Sequence, residues 1–182
     1  RVFGTPVQDY PLSALRGMIG FVPQSAALVS GSVRKNLRMG KQDATDAQLW
    51  HALEIAQAKA FVDRLPGKLD FQIEEGGKNL SGGQKQSLTI ARALVRKPRI
   101  LILDDSASAL DYATDANLRR AIKENTDSQT VIIVSQRVNS VKDADRIAVM
   151  DDGEIVGIGT HKELVDTCDI YREICYSQEQ LD

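Results

Sequence analysis

A run of apolar residues that ends in two carboxylates constrains this chain more than any other feature. Residues 99–103 show no alternation of apolar and polar side chains, which is typical of a strand buried on both faces in a parallel sheet. Asp104 and Asp105 follow directly, and two charges beside a buried strand are costly unless they hold a cation or a water molecule. The run therefore predicts a parallel sheet with a functional edge, and the alternative is an ordinary acidic pair in a loop.

Short apolar segments alternate with amphipathic helical segments along the chain. Ile19–Val22 and Thr130–Val134 are predicted as further strands, the second one buried, and residues 113–123 as a helix between strands. Residues 45–65 read as a small helical block that begins at a capping box, Thr45 with Gln48. Nearer the C-terminus, Asp152-Gly153 predicts the turn of a β-hairpin, and Thr160 with Glu163 predicts a second capping box. Strands and helices in this order are typical of an α/β fold with a mostly parallel sheet.

Polar residues follow the other two predicted strands as well. Gln24 comes shortly after Ile19–Val22, and Gln136 comes shortly after Thr130–Val134. Ligands bind at the carboxyl ends of the strands in open α/β sheets, so these side chains are candidates for the same site as Asp104 and Asp105. Gln24 on its own is weak evidence, because a single Gln is usually a polar loop residue.

The segment Ser81-Gly82-Gly83-Gln84 is predicted to begin a helix that has an apolar face. Two glycines inside a helix would each cost about 1 kcal/mol relative to Ala, and the cost is smaller in the first turn. Bare backbone N–H groups beside a Ser hydroxyl at a helix N-terminus form an anion site. The segment therefore predicts a phosphate site, and the alternative is a plainly capped helix.

These motifs in this order resemble the nucleotide-binding domain of ABC transporters, over almost the whole chain. The matching segments are VPQ ending at Gln24 (Q-loop), LSGGQ ending at Gln84 (signature), ILILDD ending at Asp105 (Walker B) and SALD ending at Asp111 (D-loop). The resemblance is to exporters of multidrug or lipid type. It implies a P-loop NTPase-like sheet flanked by helices, with an inserted α-helical subdomain.

The resemblance also implies the roles of individual residues toward ATP and Mg²⁺. Gln24 and Asp104 are expected to bind Mg²⁺, while Asp105 and Gln136 are the expected catalytic base and switch residue. The residues expected to contact ATP are Gln24, Ser81, Gly82, Gly83, Gln84 and Asp111.

The same resemblance implies partners and a domain organisation. Residues 42–80 are expected to form the α-helical subdomain, and the remainder of 1–182 a RecA-like core. A membrane domain is expected upstream, in contact with residues 24–37 and with Glu75, which would place the chain on the cytoplasmic face of a membrane. A second nucleotide-binding domain is expected to pair head to tail with this one.

Three departures from the family pattern modify this expectation. No G-x-x-x-x-G-K-[ST] phosphate loop occurs, so the N-terminal strands are expected to be missing and the chain alone to be inactive. Asp105 stands where the family usually has Glu, and Gln136 where it usually has His. The signature is unchanged, so one weakened and one intact half predict a heterodimer whose partner supplies the working base.

Charge and periodicity limit the alternatives. The sequence has 23 Lys and Arg against 25 Asp and Glu, a formal net charge of −2, whereas proteins that coat nucleic-acid phosphates usually have a basic excess. DNA-repair ATPases with related signatures carry long coiled coils, and no heptad run is present here. The alternative that stays open is a non-hydrolysing module that dimerises or regulates in response to ATP.

Overall fold

The computed structural model describes residues 1–125 and 129–179, and the chain divides into two compact units, Arg1–Val134 and Ser135–Asp182. The first unit contains the following helices and strands: α1 (Leu12–Met18), β1 (Ile19–Val22), β2 (Gly31–Ser32), α2 (Val33–Arg38), α3 (Asp46–Ile55), α4 (Lys59–Val62), β3 (Gln72–Ile73), α5 (Gly82–Leu94), β4 (Ile100–Asp104), α6 (Tyr112–Asn125) and β5 (Thr130–Val134). The second contains α7 (Val138–Val141), β6 (Ile147–Asp151), β7 (Glu154–Gly159), α8 (His161–Thr167) and α9 (Asp169–Glu179).

A three-stranded parallel sheet organises the first unit, in the order β1-β4-β5. In the register of the sheet, Val22 pairs with Leu103 and Asp104 pairs with Val134, so the three strands end at nearly the same level. The predicted mixed α/β fold with a parallel sheet is therefore confirmed.

The sheet is buried on one face only, which the sequence did not predict. Leu101 and Leu103 in β4 are at most 4% exposed, while Ile100 and Ile102 on the other face are half-buried. The prediction that β5 is buried does not hold in this chain, because β5 lies at the edge of the three-stranded sheet and Ile132 and Val134 are 45% and 51% exposed.

The helical block and the sheet share one hydrophobic core. Leu49 and Leu53 of α3 and Leu88 of α5 belong to the same buried cluster as Leu101 of β4. Because apolar side chains from all these elements leave water together, the block packs as part of the first unit.

Three helices begin at the positions that the sequence predicts, and each of them begins with a capping box. Thr45, Ser81 and Thr160 each accept a hydrogen bond from the backbone N–H three residues later, and the side chain of that later residue caps the first one in return. Each capping box satisfies two N–H groups that a helix start leaves unpaired.

The second unit combines the β6–β7 hairpin with the two last helices. The predicted turn at Asp152-Gly153 joins the antiparallel strands, and Ile147, Val149, Leu164 and Tyr171 pack in their own small core. Within residues 1–125 and 129–179, none of the helices is both long enough and apolar enough to span a bilayer.

Candidate functional site

The parallel register brings the ends of β1 and β4 to one edge of the sheet. Gln24 lies two residues beyond β1, and its side-chain Nε2 donates a hydrogen bond of 3.1 Å to Oδ2 of Asp105. Asp104, the last residue of β4, is half-buried beside them. The structure therefore places the two adjacent carboxylates and the side-chain amide of Gln24 at a single edge of the sheet. The amide lies about eighty positions before the carboxylates in sequence.

The backbone of Asp105 is held in a left-handed conformation, with φ of 42°. Its N–H donates to the carbonyl oxygen of Val134 at 2.9 Å. Its own carbonyl oxygen accepts from the Ser108 backbone N–H at 3.2 Å and from the Ser108 hydroxyl at 2.8 Å. Hydrogen bonds on both sides fix this less favourable backbone, which is a frequent feature of functional sites.

Two side chains of α5 hold the loop that carries Gln24. The Nε2 of Gln86 donates to the carbonyl oxygen of Pro23 at 3.2 Å, and Gln86 is only 1% exposed. The guanidinium of Arg92 donates to the carbonyl oxygen of Ala27 at 2.7 Å. Burial of Arg92 lowers its pKa from the usual value.

Sequence reasoning missed Gln86 and Arg92. A signal for Gln86 was present, because it shares the i, i+4, i+7, i+8 apolar stripe of α5 with Ile90, Ala93 and Leu94. A polar residue on the buried face of a helix requires a hydrogen-bond partner. The partner lies on another element, so the sequence alone could not identify it.

The glycines of the helix start at α5 differ in the space around them. Ser81 is the N-cap, and its hydroxyl oxygen accepts from the N–H of Gln84 at 3.3 Å. A Cβ on Gly82 would meet no heavy atom within 4 Å, whereas a Cβ on Gly83 would lie 3.3 Å from the carbonyl oxygen of Ala109. At Gly82 the helix N-terminus therefore has open space that a ligand could enter. At Gly83 the helix instead packs against Ala109, in the segment that precedes Asp111.

Asp111 caps helix α6. Its Oδ1 accepts from the N–H of Thr114 at 2.9 Å and its Oδ2 from the Thr114 hydroxyl at 2.7 Å. These hydrogen bonds stabilise the ionised form and lower the pKa of Asp111. The structure therefore assigns a structural task to a side chain that the sequence suggested for ATP binding.

Two further predicted residues, Gln136 and Glu75, are exposed. Gln136 belongs to the second unit, where its side chain is exposed and its carbonyl oxygen accepts from Nε2 of Gln178 at 2.7 Å. Glu75 is exposed in a short 3-10 turn, Glu75–Gly77.

The segment predicted to meet a membrane domain, residues 24–37, is partly core. Leu28, Val33 and Leu37 are at most 6% exposed, whereas Val29 is 38% exposed. Asn36 is 1% exposed, and it accepts from the N–H of Val29 and donates to the carbonyl oxygen of the same residue. Only the exposed part of this segment is available to a partner.

The donor set at the sheet edge suits a magnesium ion that also binds phosphate. Mg²⁺ prefers oxygen ligands and is usually bound by one or two carboxylates together with water and substrate phosphates. Asp104, Asp105 and the amide oxygen of Gln24 offer such ligands. No cluster of three or more His, Cys, Asp or Glu residues suited to a metal occurs in the described part of the chain.

A cavity of about 210 Å³ lies away from the predicted site residues. It is lined by residues of α3 and of the C-terminal end of α5, including Gln48, His51 and Leu94. None of the residues predicted for ATP or Mg²⁺ lines it.

Comparison with known proteins identifies the family. Residues 1–108 match the family model described as ABC transporter. The chain is 46% identical over 178 residues to the probable multidrug resistance ABC transporter ATP-binding/permease protein YheI of Bacillus subtilis (strain 168), covering 98% of this chain and 30% of that protein. It is 44% identical over 173 residues to the uncharacterized ABC transporter ATP-binding protein YfiB of the same organism, covering 95% of this chain and 30% of that protein.

A solved structure gives the same assignment. A bacterial Atm1-family ABC exporter with ATP bound superposes with a TM-score of 0.93 at 32% identity, over 97% of this chain and 31% of the exporter chain. The fold is that of the nucleotide-binding domain of an ABC exporter. The chain belongs to the ABC transporter family, which confirms the predicted resemblance. It spans about a third of the length of these relatives.

Proposed function

We propose that this chain is part of an ATP-binding subunit of an ABC exporter, which couples ATP binding and hydrolysis to transport across a membrane. The observation that carries the proposal is the hydrogen bond between Gln24 and Asp105 beside Asp104. This bond supports the proposal because it joins the two residues that the family resemblance assigns to the Q-loop and to the end of Walker B. The similarity to an exporter and to a probable multidrug resistance protein supports the transport role.

In this proposal the residues at the sheet edge act on the terminal phosphate of ATP. Asp104 and the amide oxygen of Gln24 would hold Mg²⁺, which would supply positive charge that neutralises the phosphates. Asp105 orients the attacking water, and Gln136 donates a hydrogen bond to the phosphate in place of the usual His. Asp105 is one methylene shorter than Glu, and a displacement on the order of 1 Å can cost about a hundredfold in rate.

The N-terminus of α5 serves the other ATP site of a head-to-tail dimer. The first-turn N–H groups of Gly82 and Gly83 find no carbonyl within the helix, so they can donate to phosphate oxygens. The open space at Gly82 fits this role. We therefore propose that this chain completes an active site whose base belongs to a different partner chain, while its own site hydrolyses slowly.

We further propose that the chain alone does not hydrolyse ATP, because the sequence lacks the phosphate loop whose N–H groups and Lys hold the nucleotide. The full protein is proposed to be an integral membrane protein with this domain on the cytoplasmic face. The exposed side chains of residues 24–37 and Glu75 would contact its membrane domain.

The subunit composition of the full-length protein tests this proposal. The protein is purified from its native membrane in mild detergent, and every copurifying chain is identified by mass spectrometry. A second ABC subunit with Glu after its Walker B Asp and a switch His supports the heterodimer. Recovery of this chain alone refutes it and favours an ATP-dependent clamp with two weakened sites.

A second experiment separates a slow site from a clamp. The double variant Asp105→Glu, Gln136→His restores the usual base and switch residue in the full-length protein. We expect ATPase activity to rise at least tenfold at the site of this chain, since both groups act on the same phosphate. An unchanged rate would assign the site to the non-hydrolysing class.

A further inference from the structure

We propose that Gln86 is a positioning residue for Gln24, with Arg92 as a second tether, so that the signature helix sets the position of the Q-loop in the same chain. This inference rests on the proposed function, because it concerns the Q-loop of the proposed ATP site. The proposal adds a connection within one chain between α5 and the sheet edge.

The geometry at Gln86 is that of a dedicated support. Its side chain is 1% exposed, and its amide donates to the carbonyl oxygen of Pro23, sixty-three positions earlier. Pro23 immediately precedes Gln24, and proline fixes φ at that position. A shift of the Pro23 carbonyl therefore moves the backbone from which the Gln24 side chain reaches Asp105.

Arg92 holds the other end of the same loop. It lies six residues further along α5 and donates to the carbonyl oxygen of Ala27 at 2.7 Å. The loop from Pro23 to Ala27 is thus attached to one rigid helix at both ends, although its residues 24 and 25 are exposed. A ligand that displaces the N-terminus of α5 would move Gln24 through these two bonds.

The arrangement connects the two ATP sites of the proposed dimer. The N-terminus of α5 serves one site, while Gln24 and Asp105 serve the other. The path runs from Ser81 along α5 to Gln86, to the Pro23 carbonyl and on to the hydrogen bond between Gln24 and Asp105. Occupation of one site can therefore alter the geometry of the second through a single helix.

A mutant cycle tests the positioning role. The protein is the full-length transporter that carries Gln136→His and keeps Asp105, so that the hydrogen bond between Gln24 and Asp105 is retained while the site of this chain contributes to turnover. Gln86→Met keeps the volume and removes the donor, and we expect kcat to fall about tenfold with KM for ATP changed less than threefold, since misplacement affects the chemical step. In a Gln24→Ala background the same substitution is expected to lower kcat less than twofold.

A matched control is available at Gln72, whose exposed side chain donates to the nearby carbonyl of Asp70. Gln72→Met is expected to leave kcat unchanged. An equal loss from Gln86→Met with and without Gln24 would overturn the proposal, because the effect would not then pass through Gln24. If Gln86→Met does not fold, Gln86→Glu replaces it. Its carboxyl donates only when protonated, and burial at this position is expected to raise the pKa of the carboxyl, so its kcat relative to the parent protein should rise as the pH falls from 8 to 6, and a constant ratio would overturn the proposal.

A spectroscopic measurement keeps the inference separate from the proposed function. A nitroxide is attached through Ser25→Cys, which lies in the exposed part of the loop, while Cys168 and Cys175 are buried. We expect Gln86→Met to increase the mobility of the label and Gln72→Met to leave it unchanged. If the parent protein shows no ATPase activity, the proposed hydrolysis is refuted, and the spectrum of the label becomes the test of the positioning role of Gln86. An unchanged spectrum in Gln86→Met would then refute that role.

Discussion

Replacement of Gly82 by Ala should have opposite effects on the stability of α5 and on its proposed role in ATP binding. Gly82 is the first residue of the helix, and a Cβ at this position would meet no heavy atom within 4 Å. Ala is favoured over Gly by about 0.5–1 kcal/mol inside a helix, and the gain is smaller in the first turn. We therefore expect Gly82→Ala to raise the free energy of unfolding of this chain by about 0.5 kcal/mol.

The same methyl group should damage the proposed ATP site. It would stand beside N–H groups that a phosphate must approach within hydrogen-bond distance, and loss of one such donor commonly costs about a hundredfold in kcat. We expect the ATPase rate of the full-length protein, assembled with its partner, to fall by about that factor. Urea unfolding of the chain and steady-state ATPase assays measure the two effects.

Gly17→Ala is the matched control. Gly17 lies inside α1, and its Cβ would approach only the Arg96 side chain, at 3.9 Å. The substitution should stabilise the chain by about 0.5–1 kcal/mol and leave ATPase activity unchanged. The reasoning would be refuted if Gly82→Ala lowered stability, or if it kept the ATPase rate within twofold of wild type.

Two further predictions concern the supports of the site. Gly40→Ala should destabilise the chain by about 3 kcal/mol in urea unfolding, because the new Cβ would overlap the backbone carbonyl of Arg92, which cannot rotate away; a loss below about 0.5 kcal/mol would contradict this contact. Asp111→Ala should lower the urea midpoint at pH 7, because the hydrogen bonds from Thr114 that lower the pKa of Asp111 cap α6. Since this pKa is lower in the folded chain, the difference from wild type should be complete above the unfolded pKa of about 4 and decrease as the pH falls through the folded pKa; a difference that does not decrease at all below pH 4 would exclude the ionised cap.

Patterns confined to one element were predicted correctly from the sequence. Each of the capping boxes at Thr45, Ser81 and Thr160 involves residues three positions apart, so the local spacing contains all the information. The parallel sheet was predictable because strands and helices alternate. The hairpin around Asp152-Gly153 was predictable because its turn residues are adjacent.

Properties that depend on distant elements were not predictable in the same way. The burial of β5 depends on its place at the edge of the sheet, which its own residues do not specify. The support of the Gln24 loop depends on Gln86 and Arg92, more than sixty positions away in sequence. Asp111 is a different case: Thr114 lies three positions later, so the helix cap was a local signal that the family motif led the sequence analysis to overlook.

The left-handed backbone of Asp105 bears on how this position can change over evolutionary time. At φ of 42°, short side chains that can hydrogen-bond locally, such as Asp and Asn, are tolerated better than longer ones. A substitution from Glu to Asp at this position would relieve backbone strain while it weakens the proposed base, a trade between stability and activity. If a partner supplies the hydrolytic step, as proposed above, selection for folding alone favours the shorter acid here. A search of sequence variants for restored turnover should therefore recover Glu mainly together with a compensating stabilising change.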